Sequence, residues 1–251
     1  AVNTWTERRV ALKLLHAELG GDQELSARFL REARVATKVA HPNIVEVLDM
    51  GQDPTDGSLF LVQELLQGGD LRALIDRRGK LELREAYGVL VPVMSALVAA
   101  QAKGVVHRDL KPENIFLVNT APGVVTPKLI DFGIAKITGE TLEKGLTKTG
   151  AAMGTPYYMS PEQAMGAREI DAQTDVWALG VIWFEALTGE CPYEGENYNQ
   201  LLAQILTQPV PGLASRTKQA PPGMAAAVDR ALMKDRAARW KSAREFLASV
   251  L

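Results

Sequence analysis

The periodicity of the chain changes at residues 67–70, and that change restricts the fold more than any other feature. Before it, short apolar alternations dominate. Residues 9–15 alternate imperfectly, as a strand does, and residues 44–50 and 58–66 read as two further strands around the polar turn 52–57. Between them, residues 23–39 carry Leu25, Phe29, Ala36 and Val39 on one helical stripe, with Asp22 placed to cap it. Gln67-Gly68-Gly69-Asp70 is then a flexible joint. Beyond it the pattern turns helical: residues 71–77, a long helix over 82–103 stopped by Gly104, an apolar helix over 175–188 closed by Gly189, and three more near 198–206, 223–234 and 242–251. Ser160-Pro161-Glu162-Gln163 has the chemistry of a helix start, with Ser at the cap, Pro first and Gln third. Residues 138–159 show no periodicity and read as a long surface loop. The expected class is therefore α+β: a small β-rich unit over 1–66, a joint at 67–70, and a larger, mostly helical unit over 71–251.

Bulk properties narrow the function classes. A net charge of −2 over 251 residues gives no global pull toward nucleic acid or an anionic membrane, so no nucleic-acid partner is expected. The single cysteine, Cys191, rules out an internal disulfide framework and fits a reducing compartment, so a cytoplasmic location is expected. No uninterrupted apolar run reaches the ~18–20 residues a membrane span needs; the best, residues 89–102, is short and contains Pro92. No signal peptide is visible. The chain begins at Ala1 without a Met, which reads as a cut piece of a longer frame that could carry a membrane anchor elsewhere.

Three sets of residues carry chemistry. His107-Arg108-Asp109-Leu110-Lys111-Pro112-Glu113-Asn114 follows a helix, so it lies on a loop at a helix end. Asp109 can orient a hydroxyl and take its proton, Lys111 can reach a phosphoryl group, and Asn114 offers a neutral oxygen to a hard cation. Asp131-Phe132-Gly133 comes 22 residues after Asp109, behind the short strand-like run 128–130; a carboxylate at a strand end beside Gly suits a metal. Finally, Glu32 sits on the apolar stripe of the 23–39 helix, where a carboxylate needs a partner.

Together these residues resemble the eukaryotic-type protein kinases, most closely their bacterial serine/threonine branch, over the whole chain. The resemblance implies a bilobal protein-kinase-like fold. Val10-Ala11-Leu12-Lys13 looks like the third-strand lysine motif, with Lys13 on the α- and β-phosphates and Glu32 as its partner. The run Leu61 to Leu66 is similar to the hinge strand: backbone groups of Glu64 and Leu66 would meet the adenine edge, and Gln63 would be the gatekeeper. Asp70 would lie near the ribose, and Ala11 and Phe116 would sandwich the adenine. Asn114 and Asp131 would hold Mg²⁺, which Mn²⁺ can replace. The residues from Gly154 to Glu162 resemble the end of an activation segment, Glu162 and Arg239 a buried ion pair, and Asp175 the brace of the catalytic loop. Lys111 with Thr155 marks the serine/threonine class. The implied substrates are ATP and protein hydroxyls. Arg108 suggests regulation by phosphate on Thr147 or Thr149, placed by a transient homodimer.

One element of the resemblance is absent. No Gly-x-Gly-x-x-Gly occurs in the chain, and the residues before Lys13 contain no glycine. The small sheet is therefore expected to hold three short strands with an exposed edge, and this piece alone to bind ATP poorly and turn over slowly. Two other readings stay open: a pseudokinase scaffold, and a phosphotransferase acting on small molecules.

Overall fold

A computed structural model describes residues 1–15, 39–121, 124–131, 156–167 and 169–251. The expected helix over 23–39 with Glu32, the Phe132-Gly133 pair, and Thr147, Thr149 and Thr155 lie outside these residues.

Two antiparallel sheets come first. The small sheet has β1 (Val10–Leu15), β2 (Val47–Gln52) and β3 (Leu59–Glu64) in the order β1-β3-β2. Leu59, Leu61 and Gln63 alternate inward along β3, the period that a half-buried strand requires. The outer edge of β1 is not bare. Residues 1–3 fold back along it, Val10 exchanging backbone hydrogen bonds of 3.0 and 2.9 Å with Ala1, and Asn3 bonding to Arg8 at 2.9 Å. Turn-forming residues 4–7 make this return possible, and the expectation of a fully exposed edge is corrected at that end.

The second sheet has β4 (Gly68–Asp70), β5 (Ile115–Ala121) and β6 (Val124–Leu129) in that order. The expected flexible joint is thus a strand, paired with residues 116–118. Glycine is required there because a Cβ on Gly68, at φ 153°, would fall 1.9 Å from the carbonyl oxygen of Leu117. The strand β6 tolerates Pro127 because it lies at the sheet edge.

The rest of the described chain is helical: α1 (Leu71–Arg78), α2 (Leu83–Gln101), α3 (Pro161–Ala164), α4 (Gln173–Thr188), α5 (Tyr198–Thr207), α6 (Leu213–Arg216), α7 (Pro222–Ala231) and α8 (Ala243–Val250). The architecture is α+β, a small sheet-containing lobe on a larger helical one. Helix α4 is apolar on every side, and every residue from 173 to 187 is buried, so it is the post around which the others pack. It ends at Gly189 in the left-handed conformation, where a Cβ would lie 2.4 Å from the carbonyl oxygen of Gly79. Helix α2 has the length and composition of a membrane span, but it packs against α4, α8 and β6 with Leu90, Val93, Met94 and Leu97 fully buried. It is a core helix. It also ends earlier than expected, at Gln101 with Ala102 as its cap; Gly104, at φ 74°, turns the chain two residues later. The short helix α6 adds a fourth element to the three expected near the C-terminus.

Candidate active site

The loop between α2 and β5 carries Asp109, Lys111 and Asn114, and its shape is imposed from below. Asp175, on the first turn of α4 and fully buried, accepts hydrogen bonds from the backbone N–H of His107 at 2.9 Å and of Arg108 at 2.8 Å. Arg108 adopts φ 64°, a conformation that costs a residue with a Cβ on the order of 1–3 kcal/mol. It is held from the other side too, because Gln163 Nε2 donates to its carbonyl oxygen at 2.8 Å. The imidazole of His107 is fully buried, with Nε2 3.1 Å from the carbonyl oxygen of Ile130. Burial pushes His107 below its usual range despite the pull of Asp175, and it pushes the Asp175 carboxyl up despite His107 and the two N–H donors. A neutral His107 is therefore the form that ties this loop to Ile130, just beyond β6 and next to Asp131.

Within the loop, Lys111 Nζ lies 3.5 Å from Asp109 Oδ2. Asn114 sits on a single 3-10 turn led by Pro112; its Nδ2 donates to the Asp109 carbonyl oxygen at 2.7 Å and lies 3.4 Å from Asp109 Oδ2. These bonds fix the amide, so the Asn114 side-chain oxygen faces away from Asp109. The Asn114 backbone oxygen accepts from Ile130 N at 3.0 Å, which sets the two candidate metal residues on adjacent chains. Asp131 itself has φ 56°, a second strained position in the site.

Lys13 closes the constellation. From the middle of β1 it reaches Asp131 Oδ1 at 2.5 Å, across 118 residues of sequence. Both side chains keep about a third of their surface exposed, at 35% and 33%. The partner expected for Lys13, Glu32, lies outside the described residues. The residues expected on the adenine side are divided between the two sheets. Ala11 stands opposite Gln63 in the small sheet, and Phe116 opposite Asp70 in the second. Gln63 is buried at 9% exposure. The Leu66 backbone has no partner among the described residues. The Asp70 side chain caps α1 through Ala73 N at 2.8 Å. Among the described residues no three His, Cys, Asp or Glu side chains cluster as a metal cage.

Sequence reasoning missed several contacts. Gln163 was expected only to complete the cap of α3; it does so through Ser160, and also holds Arg108. Glu185, on α4, accepts from Arg72 and, at 2.6 Å, from the Tyr158 hydroxyl. Burial and the Glu185 carboxylate push the Tyr158 hydroxyl well above its usual range, so it stays a donor. A glutamate inside the all-apolar run of α4 was the signal that could have pointed to this contact.

The fold agrees with the comparisons. The protein kinase domain family model matches residues 1–250, so the chain belongs to that family. It is 40% identical over 247 residues to serine/threonine-protein kinase Pkn3 of Myxococcus xanthus, covering 97% of this chain and 45% of that protein. It is 37% identical over 253 residues to serine/threonine-protein kinase PknA of Mycobacterium tuberculosis, covering 100% and 56%. It is 36% identical over 256 residues to the probable serine/threonine-protein kinase PknB of Corynebacterium glutamicum, covering 100% and 39%. The chain thus spans about half the length of the curated relatives it matches. Among solved structures, the kinase domain of Mycobacterium tuberculosis PknI superposes with a TM-score of 0.71 at 27% identity, over 96% of this chain and 83% of that one.

Proposed function

We propose that this chain transfers the γ-phosphoryl group of ATP to serine or threonine hydroxyls of proteins. The observation that carries the reading is the 2.5 Å contact of Lys13 with Asp131, which brings the small sheet onto the loop that holds Asp109, Lys111 and Asn114. A lysine, two oxygen ligands and a candidate base converge there from three separate segments: β1, the 109–114 loop and the stretch after β6.

Asp109 orients the acceptor hydroxyl and takes its proton as the new oxygen–phosphorus bond forms, while the bond to the β-phosphate oxygen breaks and ADP leaves. Lys111, beside Asp109, faces the transferring group, and Lys13 holds the α- and β-phosphates. The residues present fit a divalent cation: Asp131 has a second carboxylate oxygen beyond the one that Lys13 takes, and the Asn114 oxygen is directed by its bonded amide. Two hard oxygen ligands suit Mg²⁺, which keeps water and phosphate oxygens in its shell. Bound there, it would neutralise charge on the phosphates. The backbones of Glu64 and Leu66 would read the adenine edge, with Ala11 and Phe116 on its faces and Asp70 near the ribose. Glu32 and Thr155 belong to the same scheme, as do a cytoplasmic location and autophosphorylation at Thr147 or Thr149 within a transient homodimer.

The test is transfer of radiolabelled γ-phosphate to a generic protein substrate, followed by phosphoamino acid analysis. Phosphoserine and phosphothreonine are expected from the natural chain, and Asp109→Asn should lose ~10²–10⁴-fold in rate. Unchanged transfer by Asp109→Asn would sink the assignment of the base; labelling of a sugar or aminoglycoside alone would sink the protein-kinase reading.

A further inference from the structure

One ion pair between the two sheets has no role in the scheme above. Lys128 Nζ lies 2.5 Å from Glu64 Oε1, with side chains only 17% and 20% exposed. The same Glu64 oxygen accepts the backbone N–H of Glu46 at 2.8 Å, and the Lys128 ammonium lies 3.4 Å from the carbonyl oxygen of Ile44. Glu64 N donates in turn to the carbonyl oxygen of Glu46 at 3.0 Å. Residues 43–46 are themselves stitched to β6: Val45 N to Leu129 O at 2.9 Å, Leu129 N to Asn43 O at 2.8 Å, and Asn43 Nδ2 to Pro127 O at 2.7 Å.

The position of this junction gives it consequences. Glu64 is the last residue of β3, directly before the stretch that would meet adenine. Lys128 stands on β6, three residues before Asp131. Among the described residues, Glu64–Lys128 is the sole side-chain bond between a strand of the small sheet and a strand of the second sheet. A charge pair this sheltered is screened less than a surface pair, and the extra N–H donor on its carboxylate fixes its direction.

We propose that Glu64 and Lys128 are positioning residues: their ion pair sets the distance between the adenine-reading end of β3 and Asp131, so that base and phosphates are gripped together. The proposal rests on the kinase reading. It concerns geometry between two half-sites, not contact with the reacting atoms. Where two half-sites engage one ligand, their affinities multiply only if the spacing is right, and a displacement near 1 Å is enough to lose much of that gain.

The test compares ATP with adenosine, each titrated calorimetrically in the presence of Mg²⁺ against the natural chain, Lys128→Met, Lys128→Arg and Glu64→Gln. Lys128→Met should weaken ATP binding about tenfold, equivalent to about 1.4 kcal/mol, and raise the KM for ATP more than it lowers kcat. Adenosine, which touches one half-site, should change less than about twofold. Lys128→Arg should recover most of the ATP affinity, and Glu64→Gln should behave like Lys128→Met. An equal loss for ATP and adenosine would mean general damage to the fold and overturn the proposal, as would no loss at all. A full-length protein carrying this chain that binds neither ligand and transfers no phosphate would instead remove the kinase reading itself.

Discussion

Two ion pairs join distant parts of this chain, and they are built in opposite ways. Glu162 and Arg239 meet at 2.8 and 3.2 Å with 4% and 0% side-chain exposure. The guanidinium spends its remaining donors on the carbonyl oxygens of Met233, Gln173 and Lys234, at 2.9, 3.1 and 3.3 Å, and lies 5.2 Å over the Trp177 ring. Every direction around that arginine is filled, so no ligand can enter. Lys13 and Asp131 share one contact, keep about a third of their surface open, and sit beside a strained backbone. The first pair is a closed part of the core that ties the start of α3 to the loop before α8 and to the first residue of α4. The second is half-exposed, and among the described residues its two side chains bond only to each other, which leaves room for the phosphate and metal proposed above. Exposure and spare hydrogen-bonding capacity, not the mere presence of opposite charges, separate a structural pair from a functional one.

Substitutions should therefore split along that line. Asp131→Asn removes the proposed metal ligand from the open pair and should cut phosphate transfer by ~10²–10³-fold while the melting temperature moves little; a kinetic assay beside calorimetric unfolding reads both. Loss of stability matching the loss of rate would erase the distinction.

Arg239→Met should do the reverse. It leaves Glu162 charged and buried, which costs about 3–5 kcal/mol. At ~2–4 °C per kcal/mol for a chain of this size, the melting temperature should fall by about 10 °C or more. A double substitution, Glu162→Gln with Arg239→Met, should recover part of that fall, because no unpaired charge remains. A variant as stable as the natural chain would show that the closed pair is dispensable.

The smallest effect concerns pH. His107 is held below its unfolded value of 6.5 by burial. Its contribution to stability is therefore complete above that value. It declines as the pH falls from there toward the depressed folded value, because the unfolded chain takes up the proton first. His41, lowered in the same way, adds to the slope. Unfolding temperatures measured across this window should fall toward acid, and His107→Gln should flatten part of the slope. An identical slope in that variant would show that His107 is not the buried neutral group described here.

How much of this was readable in the sequence depends on the range of the interaction. Helix α4 was legible because every side of it is apolar and Gly189 stops it. The cap at Ser160 was legible because its partners lie within three residues. The strand at residues 68–70 was not. Two glycines read as a loop, and only the approach of Leu117 explains why glycine is there. The Lys13–Asp131 contact spans 118 residues, so spacing alone could not give it; the family resemblance set both residues at one nucleotide site but named Glu32, not Asp131, as the partner of Lys13. Glu64 and Lys128 were passed over for the same reason. Each looks like an ordinary polar strand residue until β3 and β6 are brought together.

The central claim is that the open pair serves the nucleotide and the closed pair serves the fold. The most direct test is Lys13→Met, assayed for ATP-dependent phosphate transfer and thermal unfolding on the same preparation. The account predicts transfer reduced by at least ~10²-fold, with a stability change within about 1 kcal/mol, as for other half-exposed ion pairs. Retained transfer, or a collapse of the fold with the activity, would contradict it.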